Sequence, residues 1–369
     1  MWLSAGLALA IAWGVDDAEL IVASLLGMGV GARGAGLRAE RSGRRSAVFS
    51  AAFAIAGAAF VAAAVGTGRT APGRELALAA HALLGATAGG ALAAGALLVA
   101  ELAPRRSRGA FVAALGWGWS TGALVGIELA AFAGAAAWGR IVLVFGAVPL
   151  LAWPLLRALP ESPRWLASHG RATEADAVVR RAERASGGAL ITVTRVAPVQ
   201  APAARRAPLR TQRLAALAIV WLGVGVAIAR VPEILIGSPI HTAIDELAAV
   251  LIAVFLVDRI GRRPTLALAL LLAAIPAAGL VRLSGFAIAS LVLALGYTIE
   301  LVPGSRRALL TGALAGGGFV AAAVATVIGP ATALAAFPLA AAAATLVAGP
   351  EPRGRSLESP GGSPEEASA

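Results

Sequence analysis

The sequence predicts an all-α polytopic membrane protein made of two helical-bundle halves, with about 11 spans. Three observations predict it. Hydrophobic residues make up 59% of the 369, against roughly 45–50% in a soluble domain, and the mean hydropathy is +0.81 over the whole chain. The apolar stretches recur at about the 20 residues that a bilayer crossing needs. Arginines gather at alternate ends of these stretches, and lysine and asparagine are absent.

Residues 1–13 are too short for a crossing and run into Asp16, Asp17 and Glu19, so they read as the remnant of a span or a lead-in. They lack the basic start of a cleavable signal, the first arginine being Arg33. Spans are expected at 20–37, 46–65, 76–100, 110–133 and 141–156. The octet Leu159-Pro160-Glu161-Ser162-Pro163-Arg164-Trp165-Leu166 then leaves the apolar environment. Ser162 suits a helix cap and Pro163 the first helical position, where a missing N–H costs nothing. The longest polar stretch follows, to about Arg213, with a charged helix over 171–186 supported by i,i+4 pairs such as Asp176–Arg180. The second half offers spans at 214–229, 240–257, 265–280, 285–302, 308–328 and 331–347. The tail after Pro350 is rich in Pro, Gly, Ser and Glu and is expected to be disordered past Glu358. Four regions result: an N-terminal bundle over 1–158, a central loop over 159–212, a C-terminal bundle over 213–348 and a tail over 349–369.

Charge sets the orientation. With the octet on the cytosolic side, the arginine clusters at 33–45, 105–108, 164–213, 259–263, 306–307 and 353–355 are all inside, as the positive-inside rule requires. Arg69, Arg74, Arg140, Arg230 and Arg282 fall outside or near that edge. The net charge of +11 is therefore a topology signal and not a nucleic-acid surface. The absence of cysteine excludes disulfides and thiolate metal sites, and His81, His169 and His241 lie far apart. Neither a metal nor a cofactor is expected. Gly29-x-Gly31-x-x-Gly34 and Gly118-x-Ser120-x-Gly122 imitate a dinucleotide fingerprint and a nucleophile elbow. Both lie inside apolar spans without a preceding strand, so close helix packing explains them better. His81 reads as a packed polar residue.

Short motifs recur in order in the two halves. Glu40-Arg41-Ser42-Gly43-Arg44-Arg45 matches Asp258-Arg259-Ile260-Gly261-Arg262-Arg263. Glu101-Leu102-Ala103-Pro104-Arg105-Arg106-Ser107-Arg108 matches Glu300-Leu301-Val302-Pro303-Gly304-Ser305-Arg306-Arg307. Pro160-Glu161-Ser162-Pro163-Arg164 is echoed by Pro350-Glu351-Pro352-Arg353. Each sits at the inner end of a span, and such repeated halves mark transporters. From about residue 13 to 358 the chain resembles the major facilitator superfamily, in its sugar-porter and metabolite-symporter branches.

The resemblance implies an inner gate. Gly36 lets a second helix approach, and Glu40, Arg41, Gly43, Arg44 and Arg45 latch against a helix beginning near Ala308. Asp258, Arg259, Gly261, Arg262 and Arg263 repeat this latch, with Val254 where a small residue is expected, which predicts a looser fit. Glu101 and Arg108 carry over as ion-pair partners, with Glu300 and Arg306 as counterparts. Glu161 with Arg164, and Glu351 with Arg353, join the network. The resemblance also implies twelve spans, and the stretch before Trp13 is shorter than one.

For the pathway, ionisable groups at membrane depth are the first candidates: Glu128, Asp245 and Glu246, with Arg230 near a span's outer end. Trp117, Trp119 and Tyr297 are the large side chains available to line a cavity. Sugar-binding members hold hydroxyls with Gln and Asn, yet here the glutamines are Gln200 and Gln212, both in the loop, which favours a metabolite over a sugar. The expected function is secondary transport of a small organic solute across the cytoplasmic membrane by alternating access, coupled to H+. The alternative is a membrane paralogue that no longer transports and serves as sensor or partner. Expected partners are the bilayer, the solute and H+, with no nucleic acid and a monomeric state; the central loop and carboxyl terminus face the cytosol.

Overall fold

Helix ends fall where the sequence supplies caps and glycines. The protein is described by a computed structural model over residues 17–65, 71–133, 138–151, 153–185, 211–229, 231, 239–278, 284–302, 304–328, 332–347 and 351–352. Asp17, in extended backbone, accepts from the N–H groups of Glu19 and Leu20 at 3.1 and 3.3 Å and starts α1 (Ala18–Ser42). Gly43 ends it at φ 98°, and α2 (Arg44–Val65) follows at once. α3 (Ala71–Leu102), α4 (Arg108–Ala133), α5 (Trp138–Leu151) and α6 (Trp153–Ala158) complete the first half. Ser162 caps α7 (Pro163–Ser168), accepting from Trp165 N–H with Pro163 at the first turn, as the octet predicts. α8 (Ala172–Ala185) lies beside it, and Trp165, Leu166 and Ala175 bury one another. The ion pair at the start of α8 joins Arg171 and Glu174 at 2.6 Å, and the expected Asp176–Arg180 pair is not among the described ones.

The second half holds α9 (Thr211–Ile228), α10 (Pro239–Val257), α11 (Arg262–Ala277), α12 (Gly285–Leu301), α13 (Arg307–Ile328) and α14 (Ala336–Val347). Gly261, at φ 111°, turns α10 into α11 as Gly43 turns α1 into α2. Both glycines occupy backbone that a side chain would strain, so the repeat carries its glycine for a conformational reason. The predicted apolar stretches from 20–37 to 331–347 are helical to within about a turn over their described residues. Five helices among these residues are long and apolar enough to cross a membrane. Residues 1–13, Arg230, Arg282, Arg353, the loop over 186–210 and the tail beyond 352 lie outside the described residues.

Two seams join the halves. α1 packs on α3 in its own half and on α13 of the other; α4 packs on α10 and α12. Small residues set the spacing. A Cβ on Gly31 would strike the Ala86 carbonyl, and one on Gly85 the Ser24 carbonyl, so α1 and α3 touch backbone to backbone. Across the first seam Gly29 meets Gly316, and Gly36 meets Ala308 and Gly312. Of the glycine fingerprint, Gly29 and Gly31 thus serve helix packing, against α13 and α3, while Gly34 faces open space. On the second seam Gly109 of α4 lies against Val257 and Asp258, Gly116 of α4 against Val250 and Val292, and Gly296 of α12 against Val112 of α4. Val254 itself is half-buried against the apolar core.

Candidate functional site

The repeated motifs converge at one end of the bundle, where α1, α3, α10 and α12 end and α2, α4, α11 and α13 begin. Burial demands that each charge here find a partner. Arg44, 3% exposed, grips Glu101 with two hydrogen bonds, Nε to Oε2 at 3.1 Å and Nη2 to Oε1 at 3.2 Å, and gives a third to the Ala39 carbonyl. Arg262 grips Glu300 in the same way, at 3.1 and 3.4 Å, and reaches Asp258 at 2.7 Å. These forked pairs are the strong, geometrically specific kind.

The halves then exchange partners. Arg108, from the first half, lies 3.8 Å from Glu300; Arg307, from the second, lies 3.6 Å from Glu101. Each also donates to a carbonyl of its own half, Arg108 to Ala100 and Arg307 to Val302. The acidic residues that end α1 and α10 likewise cross a seam. Asp258 accepts from the Ala110 N–H at 2.8 Å, and Glu40 faces the Ala308 N–H. Both use the donors left open in a helix's first turn.

Glu161 and Glu351 cap the helices after the glycine turns. Glu161 accepts from the N–H groups of Arg44 and Arg45, at 2.9 and 3.1 Å, and Glu351 from those of Arg262 and Arg263, at 2.8 and 3.0 Å. A Cβ on Gly43 or Gly261 would meet that carboxylate, a second reason for glycine there. The first half adds two contacts: Ser162 donates to the Glu101 carboxylate and Arg164 to its carbonyl. Pro352 stands where Ser162 would repeat and has no hydroxyl to offer. Arg41 and Arg259 are exposed at the rim, the latter over the Phe255 ring. Arg45 donates to the Arg157 carbonyl, and Arg263 to that of Leu346.

One assignment changes. Arg306 is exposed, and the partner that it was expected to be is Arg307, 2% exposed. The signal was in the spacing, because Arg307 follows Glu300 by the same seven positions that separate Arg108 from Glu101.

The pathway candidates disperse. Trp117 is exposed and, with Thr121 of α4 and Leu247, Ala248 and Leu251 of α10, lines a groove of about 290 Å³. Trp119 and Tyr297 are buried; the Tyr297 hydroxyl has no hydrogen-bond partner and lies one turn before Glu300. Glu128 is exposed, and Arg230 lies outside the described residues. Asp245 accepts from the Gly285 N–H at 2.6 Å, capping α12 from a neighbouring helix. Glu246, 1% exposed, accepts from the Ser284 hydroxyl at 3.1 Å and has Ser120 of α4 beside it. Sequence reasoning did not single out Thr298, which accepts from the Trp221 indole at 3.0 Å and ties α9 to α12. His81 is buried with Nδ1 2.8 Å from the Ala77 carbonyl, a packed polar residue.

Outside the spans, the Arg74 guanidinium holds the Asp17 carboxyl below the usual range, aided by the α1 amides. Arg171 does the same to Glu174.

A family profile described as "Sugar (and other) transporter" matches residues 16–197. The niacin transporter of Acinetobacter baylyi is 29% identical over 282 residues, 69% of this chain and 62% of that protein. The galactose-proton symporter of Escherichia coli is 28% identical over 284 residues, 69% of this chain and 59% of that protein. The chain thus spans under two thirds of the length of the curated relatives that it matches. Among solved structures, the proton:xylose symporter bound to 6-bromo-6-deoxy-D-glucose superposes with a TM-score of 0.71 at 18% identity, covering 97% of this chain and 96% of that one. These relatives are transporters and not enzymes, and apolar helices in this fold make a multi-pass membrane protein. The chain thus has the fold of the major facilitator transporters and, over residues 16–197, is similar to the sugar-porter-like family.

Proposed function

We propose that the protein moves a small organic solute across the cytoplasmic membrane by alternating access between its halves. One observation carries this reading: the reciprocal exchange of Arg108 and Arg307 between the buried carboxylates Glu300 and Glu101. Such pairs can form only while this end is closed and must part when it opens. The regions 1–158 and 213–348 move as bodies, joined by the loop over 159–212. The paired end faces the cytosol, because nearly all arginines lie there.

Uptake is coupled to protons through the Asp245–Glu246 pair. The proton-symporter names among the relatives support this, as does the depth of these carboxylates. Similarity to a niacin transporter and the absence of Asn, with Gln212 placed in the first turn of α9 and not in the loop as expected, favour an organic acid over a hexose.

Uptake of labelled nicotinate, galactose and xylose into vesicles with an inward-acid or outward-acid gradient tests the reading. Nicotinate accumulation driven by outside acid is the expected result. In parallel, Glu40→Ala and Arg108→Ala should raise labelling of single cysteines introduced at the paired end. Uptake of none of the three, with labelling unchanged in both variants, would leave a non-transporting membrane paralogue as the better description.

A further inference from the structure

We infer that Glu246 alone is the proton-binding group, and that its charge state sets how tightly α4 closes on α10, while Asp245 serves only to cap α12. The inference rests on the transport reading and divides the work of a pair that the sequence leaves undivided.

The division follows from what each carboxylate faces. Asp245 is half-buried and directs Oδ2 at the Gly285 N–H, in the first turn of α12. That bond is stronger to the ionised form, as is the pull of the helix start, and it stays within the second half. Glu246 is turned about 100° away on the same helix. Its contacts come from both halves: Ser284 precedes α12, and Ser120 belongs to α4. Its Oε2 atom and the Ser120 hydroxyl are both buried without a formed hydrogen bond. Among the described residues the charged group acting on it is Asp245, and no arginine does. Ser120 and Ser284, from the other two elements against it, do not titrate. The surrounding seam is small and apolar, with Gly116 against Val250 and Val292. Glu246 lies twelve residues before Asp258, which places it about 18 Å up the helix from the paired end.

A neutral carboxyl suits this place. It can accept from Ser284 and donate its O–H to Ser120, satisfying two hydroxyls and joining the halves by a hydrogen bond. An ionised carboxylate could accept from both hydroxyls, but with no cation acting on it among the described residues its charge stays uncompensated between apolar surfaces, which is costly. Water must then enter, and α4 must part from α10. Proton binding and seam closure are thus one equilibrium, as a coupled carrier requires. No bond beyond the carboxyl O–H is made or broken, and the proton comes from and returns to water.

The chain has no cysteine, so nitroxide labels can be placed at Thr121→Cys of α4 and Ala248→Cys of α10, both of which line the 290 Å³ groove. Dipolar broadening in liposomes, without solute, reports their separation. In the parent chain the separation should grow as pH rises. Glu246→Gln should hold the short separation at every pH, and Asp245→Asn should keep the titration with lower thermal stability. Titration of Glu246→Gln like the parent, loss of titration in Asp245→Asn, a flat parent profile, or a response to sodium in place of pH would each overturn the inference. Because the labels need no solute, failed uptake alone counts against the transport reading and not against this one.

Discussion

Arg306 and Arg307 are adjacent and chemically identical, and only their places distinguish them. Arg307 is buried against Glu101 and the Val302 carbonyl; Arg306 is exposed. Removing one partner of a buried pair leaves the other charge uncompensated, a cost of about 3–5 kcal/mol. An exposed arginine is worth about 0–1 kcal/mol. Arg307→Ala should therefore raise cysteine accessibility at the paired end and lower the melting temperature in detergent, while Arg306→Ala leaves both near the parent values. Equal effects would mean that the exchange across the halves holds nothing together. The residue types of this network were legible in the sequence because repeated charge at span ends has few explanations. Which arginine of a pair turns inward depends on helical phase after α12 ends at Leu301, and only the seven-residue spacing hinted at it. Glu246 and Asp245 posed the same difficulty. Their depth was legible, but their division depends on where Ser120 and Gly285 arrive from distant parts of the chain.

α1 carries glycines with opposite fates. Gly36 lies against the Ala308 carbonyl and Gly312, whereas nothing lies within 4 Å of a Cβ built on Gly34. Gly34→Ala should stabilise α1 by about 0.5–1 kcal/mol, the helical cost of glycine relative to alanine. Gly36→Ala should push α1 from α13 and lower the melting temperature; a rise at position 36 as large as at 34 would deny the close approach. The start of α1 makes a pH prediction. The Asp17 carboxyl is held below its ordinary value, so its pair with Arg74 stabilises the fold above the unfolded pKa and is lost as pH falls through the folded one. Asp17→Asn keeps the cap and removes the ion pair. It should cost about 1 kcal/mol or less at neutral pH, with the difference closing under acid, as thermal scans across pH would record. Spans were legible from apolar length alone. Their packing partners were not, since a glycine face reads the same whether it meets its own half or the other.

At the scale of the whole chain, the arginine distribution predicts orientation. Reporter fusions after Gly170 should read cytosolic and those after Gly68 external; reversed readings would invert the molecule and the side on which the pairs open. The ion pairs carry a further consequence. Glu40 and Glu101 with Arg44 and Arg108 are two negative and two positive groups, and so are Asp258 and Glu300 with Arg262 and Arg307. Each half's contribution is electrically neutral by itself. Separating them therefore moves no net charge through the membrane field, which acts at about 2.3 kcal/mol per elementary charge per 100 mV. Nor does it leave one surface negative and the other positive for salt to screen. Opening of this end should respond little to membrane voltage or ionic strength, and any voltage dependence of turnover must enter with the solute or the proton.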